Sequence, residues 1–307
     1  MEFFKQNTKI DFMGQKKAAM FFSIALLLLS LGILWVNGLH LGLDFTGGTQ
    51  IELHSTAPIQ LDTLRTQLKA QGFPEVTLQT YGTTHQALMR LASHPDTTQA
   101  QLKTKLEPIL KPHIQIDRLE FIGPQVGKAL LNNGILAIIV SMLATMAYIA
   151  LRFESRFAIS AAISLIHDPV LILGVFSLFG LDFDLIALAA LLTILGYSLN
   201  DTIVVYDRIR ENFRLFNKKT PVEIVNLSIN QTLSRTIMTS GLTLLVVLSL
   251  CFFGGETLRG FSIALSVGIL IGTYSSIYVA GALAVVLGLN KEALAPKKRL
   301  NINTLQV

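Results

Sequence analysis

Charge is the scarcest ingredient of this sequence. Only 15% of its residues are Asp, Glu, Lys or Arg, against roughly 25% for a soluble domain. That shortfall excludes a chain bathed in water along its whole length. Cysteine is almost missing as well: Cys251 stands alone inside an apolar run. No intramolecular disulfide can form, and the expected role of the thiol is that of a small apolar side chain.

What is present is apolar. Hydrophobic residues make up 51% of the chain and the mean hydropathy is +0.54. They gather into runs at 18–37, 130–151, 157–179, 185–206, 236–253 and 261–287, each long enough to cross a hydrocarbon core of ~30 Å. The expected fold is therefore a polytopic α-helical membrane protein with six transmembrane helices. The first run follows Lys16 and Lys17, as a secretory signal would. Its apolar core of ~20 residues is longer than a signal's, and Trp35-Val36-Asn37 offers no small-x-small cleavage site. It reads as a retained anchor.

The net charge of +5 follows topology. Lys5, Lys9, Lys16 and Lys17 precede the first run, and Arg152 and Arg156 lie between the second and third. Arg208, Arg210, Arg214, Lys218, Lys219 and Arg235 lie between the fourth and fifth, while Lys291, Lys297, Lys298 and Arg299 follow the sixth. The short loops on the other side hold only Arg259. Counting positive charge puts the termini (1–17 and 288–307) and the 207–235 loop in the cytoplasm, and 38–129 in the periplasm. The basic excess thus points to a lipid bilayer and away from nucleic acid.

Segment 38–129 is long enough to fold on its own. A strand over Thr49 to His54 is followed by a helix over Leu61 to Gln71, ended by Gly72 and Pro74. Extended runs at Val76 to Tyr81 and Gln86 to Leu91 flank a Gly82-Thr83-Thr84 turn. A helix from about Thr98 to Leu110 and a strand carrying Ile114, Ile116, Leu119 and Phe121 complete the segment. The order β-α-β-β-α-β predicts a ferredoxin-like α+β domain, a fold that names no activity. The segment holds no Ser-His-Asp set, metal-ligand cluster or phosphate loop. Gly47-Gly48-Thr49 lacks the following Gly-Lys-Ser/Thr and reads as a flexible lead into the first strand. The expected role of the domain is a protein-binding surface.

Charge inside an apolar run is costly, ~2.5–3.5 kcal/mol per residue on insertion scales, and marks candidate functional residues. Asp168 lies mid-way along the third run, between His167 and Pro169. Asp201 lies toward the inner end of the fourth, beside Asn200. Three stripes recur at helical spacing: Ser160, Ser164, Asp168; Thr193, Tyr197, Asp201; and Arg235, Thr239, Thr243. Such faces are expected to meet inside a bundle. Two roles fit Arg235, an interfacial topology anchor or a partner for Asp201 in a proton relay. Asp168 fits a relay too, and equally a cap for carbonyls freed by Pro169 or a partner for His167. Asp207, Arg208, Arg210 and Glu211 read as a solvated helix face with local ion pairs. Gly268, Gly272 and Ser276 form a small-xxx-small face for close helix packing.

Four motifs in this order resemble the SecF family of protein-export membrane proteins, within the SecD/SecF family and the RND-like superfamily. They are Gly42-Leu43-Asp44-Phe45-Thr46-Gly47-Gly48-Thr49, Gly123-Pro124-Gln125-Val126-Gly127, Gly196-Tyr197-Ser198-Leu199-Asn200-Asp201-Thr202 and Ser234-Arg235-Thr236. The resemblance covers nearly the whole chain. It implies an RND-like half bundle paired with a six-span SecD partner, working with the SecYEG channel and YajC on a translocating polypeptide in the bacterial inner membrane. The implied energy source is the proton gradient, with no cofactor and no catalysis, acting at a late step of export. The resemblance links Asp201 and Arg235 to proton conduction, with Asn200 in support, and places Asp168 at a polar site of less defined role.

Three rivals are weaker. An aspartyl intramembrane protease would use Asp168 and Asp201, but its Gly-x-Gly-Asp and Pro-Ala-Leu motifs are missing. A self-sufficient RND-type exporter of small hydrophobic molecules would need about twice the spans. A passive translocon scaffold would need no charge in the membrane.

Overall fold

The computed structural model of the protein describes residues 8–74, 76–91, 99–110 and 114–290. Among these residues, six helices are long and apolar enough to cross a membrane. They are α1 (Lys16–Asn37), α5 (Pro124–Arg152), α6 (Ser155–Phe179), α7 (Leu185–Leu215), α8 (Pro221–Phe253) and a last span built from α9 (Gly255–Tyr274), a π-helical turn (Ser275–Gly281) and α10 (Ala282–Val286). α6, α7 and the last span are the buried centre, while α1, α5 and α8 expose most of their apolar side chains. Leu28, Leu143, Leu245 and Phe253, for example, all face outward. Such faces are stable only against lipid or another apolar chain.

α7 and α8 continue well past the apolar runs that announce them. Beyond the bilayer-length stretch, α7 carries ion pairs one turn apart, Arg208 to Glu211 at 2.6 Å and Arg210 to Asp207 at 3.8 Å, which support a helix in water. α8 starts on a capping box: the Thr220 hydroxyl accepts from Glu223 N, and Glu223 accepts from Thr220 N, with Pro221 at the first helical position. These bonds hold the exposed Glu223 carboxyl below its ordinary range. The same hairpin end receives the N-terminal segment. Asn226 and Asn230, one turn apart on α8, bond both the N–H and the C=O of Ile10 and the N–H of Met13. Phe12 and Met13 are thereby buried at the end of the bundle.

The domain between α1 and α5 contains β1 (Gly48–Ser55), α3 (Leu61–Ala70), β2 (Thr77–Tyr81), β3 (Thr83–Leu91), α4 (Gln99–Leu110) and β4 (Ile114–Ile122). Its sheet is antiparallel in the order β2-β3-β1-β4, the split βαβ arrangement the element order predicts. Ile51 faces Met89 on one side and Leu119 on the other. This inner face packs on Leu64 and Leu68 of α3 and Leu102 and Leu106 of α4. The change of phase between Ile116 and Leu119 in the sequence is a bulge opposite Glu52 and Leu53. The hairpin is tighter than expected: Gly82, at φ +68°, alone separates β2 from β3, so Thr83 and Thr84 are strand residues.

Gly47-Gly48-Thr49 is more than a flexible lead. A short helix α2 (Leu43–Thr46) precedes it and drives Phe45 into the bundle beside Phe183, Leu188 and Gly134. Gly47 has φ +70°, a conformation that favours glycine, and its backbone lies so close to α5 that a Cβ on Gly127 would sit 2.8 Å from Gly47 N. The motif entering the domain and the motif leaving it therefore meet backbone to backbone. Around them, Gly42 N donates to Phe183 O at 2.8 Å, Phe183 N to His40 O at 2.7 Å, and Leu185 N to Asp44 Oδ2 at 2.9 Å. Asp184 caps α7 by accepting from Ala187 N at 2.7 Å. Burial is the main reason its carboxyl is pushed above the ordinary range, with the Asp44 charge adding and the Ala187 bond opposing. Arg90 on β3 reaches Asp182 at 2.5 Å. The domain is thus fastened to the N-terminal end of α7.

Gly268 and Gly272 let the last span lie directly on α7. A Cβ on Gly268 would run into the Ile194 side chain, and one on Gly272 would stand 3.0 Å from Ser198 Cβ. Gly268→Val is expected to destabilise the bundle by about 1–3 kcal/mol, read as a lower melting temperature of the purified protein. An unchanged melting temperature would contradict this packing.

Candidate functional site

Two apolar clusters cap the bundle, one toward the domain around Phe176, Phe183 and Ile194, the other toward the opposite end around Phe157, Tyr206 and Phe213. Between them lies a layer of polar side chains contributed by α6, α7, α8 and the last span. Serines and threonines supply most of this layer, because a hydroxyl on a helix can bond a carbonyl one turn back.

Asp168 is almost fully enclosed, 1% exposed. Its Oδ1 meets His167 Nδ1 at 3.0 Å, and its Oδ2 accepts from Ser198 Oγ at 2.6 Å and Ser275 Oγ at 2.9 Å. These donors join α6, α7 and the π-helical turn through one carboxylate. Of the roles open to Asp168, pairing with His167 is present, while the serines do for it what free carbonyls would not, since a carboxylate needs donors. Next to this cluster, Thr202 Oγ1 donates to Ser276 Oγ at 3.1 Å. Further toward the opposite end, Ser160 and Tyr206 share a 2.7 Å bond.

Asp201 sits in a separate pocket of the same layer and is 4% exposed. The Ser240 hydroxyl on α8 bonds its Oδ2 at 3.3 Å, and Thr273 in turn bonds Ser240 at 2.9 Å. Among the described residues no ion pair joins Arg235 to Asp201. Arg235 is exposed and lines a cleft of about 540 Å³ between α7 and α8, together with Asn200, Val204, Arg208, Gln231 and Thr232. Asn200 and Arg235 therefore share an open cleft, while Asp201, next to Asn200 in the chain, is buried against Ser240. A carboxylate held by one neutral hydroxyl, with a cation near but not bound, can exist as anion or acid at little structural cost. Asp168, by contrast, accepts from two hydroxyls and meets the His167 ring.

The polar stripes meet only in part. Ser160, Ser164 and Asp168 are all buried, as expected, but Thr193 and Thr239 are exposed and Thr243 is half-buried. Their hydroxyls bond the carbonyls of Ala189, Arg235 and Thr239 on their own helices. The residue of α8 that reaches Asp201 is Ser240, one position off the stripe. Ser198, Ser240, Thr273 and Ser275 carry the site's hydrogen bonds and were not singled out by spacing. Ser198, one turn before Asp201, was the one within reach of that reasoning.

Residues 101–290 match the family described as protein export membrane protein SecD/SecF, C-terminal, and residues 32–59 match the SecD/SecF GG motif. The protein translocase subunit SecF of Vibrio alginolyticus is 46% identical over 95% of this chain and 94% of its own length. That of Escherichia coli O157:H7 is 43% identical over 94% and 91%. Among solved structures, SecDF from Thermus thermophilus, described as a translocon-associated membrane protein, superposes with a TM-score of 0.82 at 39% identity. A structure of SecDF in a super-membrane-facing form gives 0.68 at the same identity. The match takes in 92% of this chain but only 39% of the SecDF chain. By sequence along nearly its whole length and by fold, the chain belongs to the SecF translocase subunits of the SecD/SecF family of protein-export membrane proteins.

Proposed function

We propose that this chain is the SecF half of a proton-driven machine in the bacterial inner membrane, where it pairs with SecD and promotes late steps of protein translocation. Asp201 is the proton carrier, Arg235 the cation that stabilises its anionic form when water admits contact, and Asn200 the polar lining between them. Asp168 is a second polar centre of the same layer. The observation that carries this reading is Asp201 itself, a buried carboxylate with one weak hydroxyl partner among the described residues, next in the chain to Asn200 of a cleft that holds an arginine. Both ends of its layer are stopped by apolar clusters, so a proton cannot cross without a change of shape, which is the coupling a motor needs.

On this reading both termini and the α7–α8 hairpin face the cytoplasm and the ferredoxin-like domain faces the periplasm, where it meets the emerging polypeptide. SecYEG and YajC are the neighbouring components, and no cofactor beyond the proton gradient is used. The test is export of a secreted reporter into inverted membrane vesicles with and without an uncoupler. Vesicles containing the chain are expected to lose their late-stage advantage when the gradient is dissipated, falling to the level of vesicles that lack it. An advantage that survives the uncoupler would overturn the reading.

A further inference from the structure

One feature of the polar layer has no part in the carrier role of Asp201. Ser275, which anchors Asp168, is the first residue of the π-helical turn, and Ser275, Ser276, Ile277, Val279, Ala280 and Gly281 of that turn are all buried. π-helical turns are looser than α-helix and concentrate at functional sites. An α–π change shifts the register by one residue and turns the segment beyond it by about 100°. On the other side of the carboxylate, His167 Nε2 is buried and has no hydrogen-bond partner among the described residues, and neither has Ser164 Oγ one turn before it. An unpartnered ring nitrogen in such a place is costly, and the ring is only 3% exposed.

We propose that the Asp168–His167 pair is a protonation-controlled latch that holds the π-helical turn of the last span in register through Ser275 and releases it when His167 takes up a proton. With the imidazole neutral, Nδ1–H donates to Asp168 Oδ1 and the pair carries one negative charge. The hydroxyls of Ser198 and Ser275 then donate to a full anion, the strong form of such a bond. When a proton from water adds to Nε2, the new N–H bond makes an imidazolium, and the pair becomes neutral overall. The carboxylate keeps its charge, but the imidazolium on Oδ1 now draws on it, and the serine bonds to Oδ2 weaken. Ser275 retains its bond to Gly272 O at 3.2 Å, and the turn is free to change register. Loss of the same proton to water restores the latch.

The titratable or charged groups on the elements packed around the pair include Lys16 and Lys17 at the foot of α1, Lys128, Tyr148 and Arg152 on α5, Arg156 on α6 itself, Tyr197, Asp201, Tyr206, Asp207, Arg208, Arg210, Glu211 and Arg214 on α7, Glu223, Arg235 and Cys251 on α8, and Tyr274 and Tyr278 on the last span. None has a hydrogen bond or ion pair to His167 or Asp168 among the described residues.

This inference deepens the proton-driven reading, but its test is independent of export. Hydrogen–deuterium exchange of residues 275–281 is measured in the purified full-length chain with its SecD partner at about pH 6 and about pH 8, corrected for the intrinsic pH dependence of exchange. Protection is expected to fall about tenfold at the lower pH, the loss of one charge-assisted bond. His167→Gln, which keeps a donor to Asp168 but cannot titrate, is expected to hold the protected level at both. Ser275→Ala is expected to show the lower level at both, and Ser275→Thr to restore the response. Equal protection of the unmodified protein at the two pH values, or an undiminished response in His167→Gln, overturns the latch. Either result leaves the role of Asp201 untouched, just as normal export with Asp201→Asn would leave the latch untouched.

Discussion

Cells whose only copy of this chain carries Asp201→Asn are expected to lose the proton-driven part of export, up to about 50-fold. That is the bias from ~2.3 kcal/mol per proton at 100 mV. The substitution is chosen for what it leaves alone. An asparagine oxygen still accepts the 3.3 Å bond from Ser240, the side chain keeps its volume in a pocket that is 4% exposed, and no ion pair is broken. Membrane level and association with SecD should therefore be unchanged. Asp201→Glu, which titrates but reaches further, is expected to retain part of the activity. Normal export with Asp201→Asn would make the residue structural and remove the proton path from this half of the complex.

Asp168→Ala is expected to act on stability first. Removing this carboxylate strands His167 Nδ1 and the hydroxyls of Ser198 and Ser275 in the middle of the bundle, and breaking a buried charged network by deleting one partner costs about 3–5 kcal/mol. Asp168→Asn should be much milder. Its oxygen accepts from both serines, and its amide donates to His167 once the ring moves its proton to Nε2, a loss of about 1–2 kcal/mol. Thermal melting of the purified complex separates the two. Equal melting of Asp168→Ala and Asp168→Asn would mean the network does not hold α6, α7 and the last span together.

The two aspartates look alike in sequence, each alone in an apolar run, and they differ wholly in the fold. Composition and apolar length were enough for six spans, and element order was enough for the βαββαβ domain, because both follow from burial along a single chain. The fastening of the domain to α7 was not legible. It depends on Gly127 lying against Gly47 and on Asp44 reaching Leu185 N, contacts between residues far apart in the chain, in a motif that alone reads as a turn. The polar layer was half legible. Charge at depth marks Asp168 and Asp201, but spacing cannot say which hydroxyl faces inward, since Thr239 on an exposed face and Ser240 on an inner one are adjacent and both are satisfied. The π-helical turn leaves no periodic signal in seven residues.

The most direct measurement is proton movement itself, recorded with an enclosed pH-sensitive dye in proteoliposomes holding the complete complex under an imposed membrane potential. Proton uptake that depends on the complex and vanishes with Asp201→Asn, at equal protein content, is the predicted result. Uptake by the Asp201→Asn complex equal to that of the unmodified one would contradict the account.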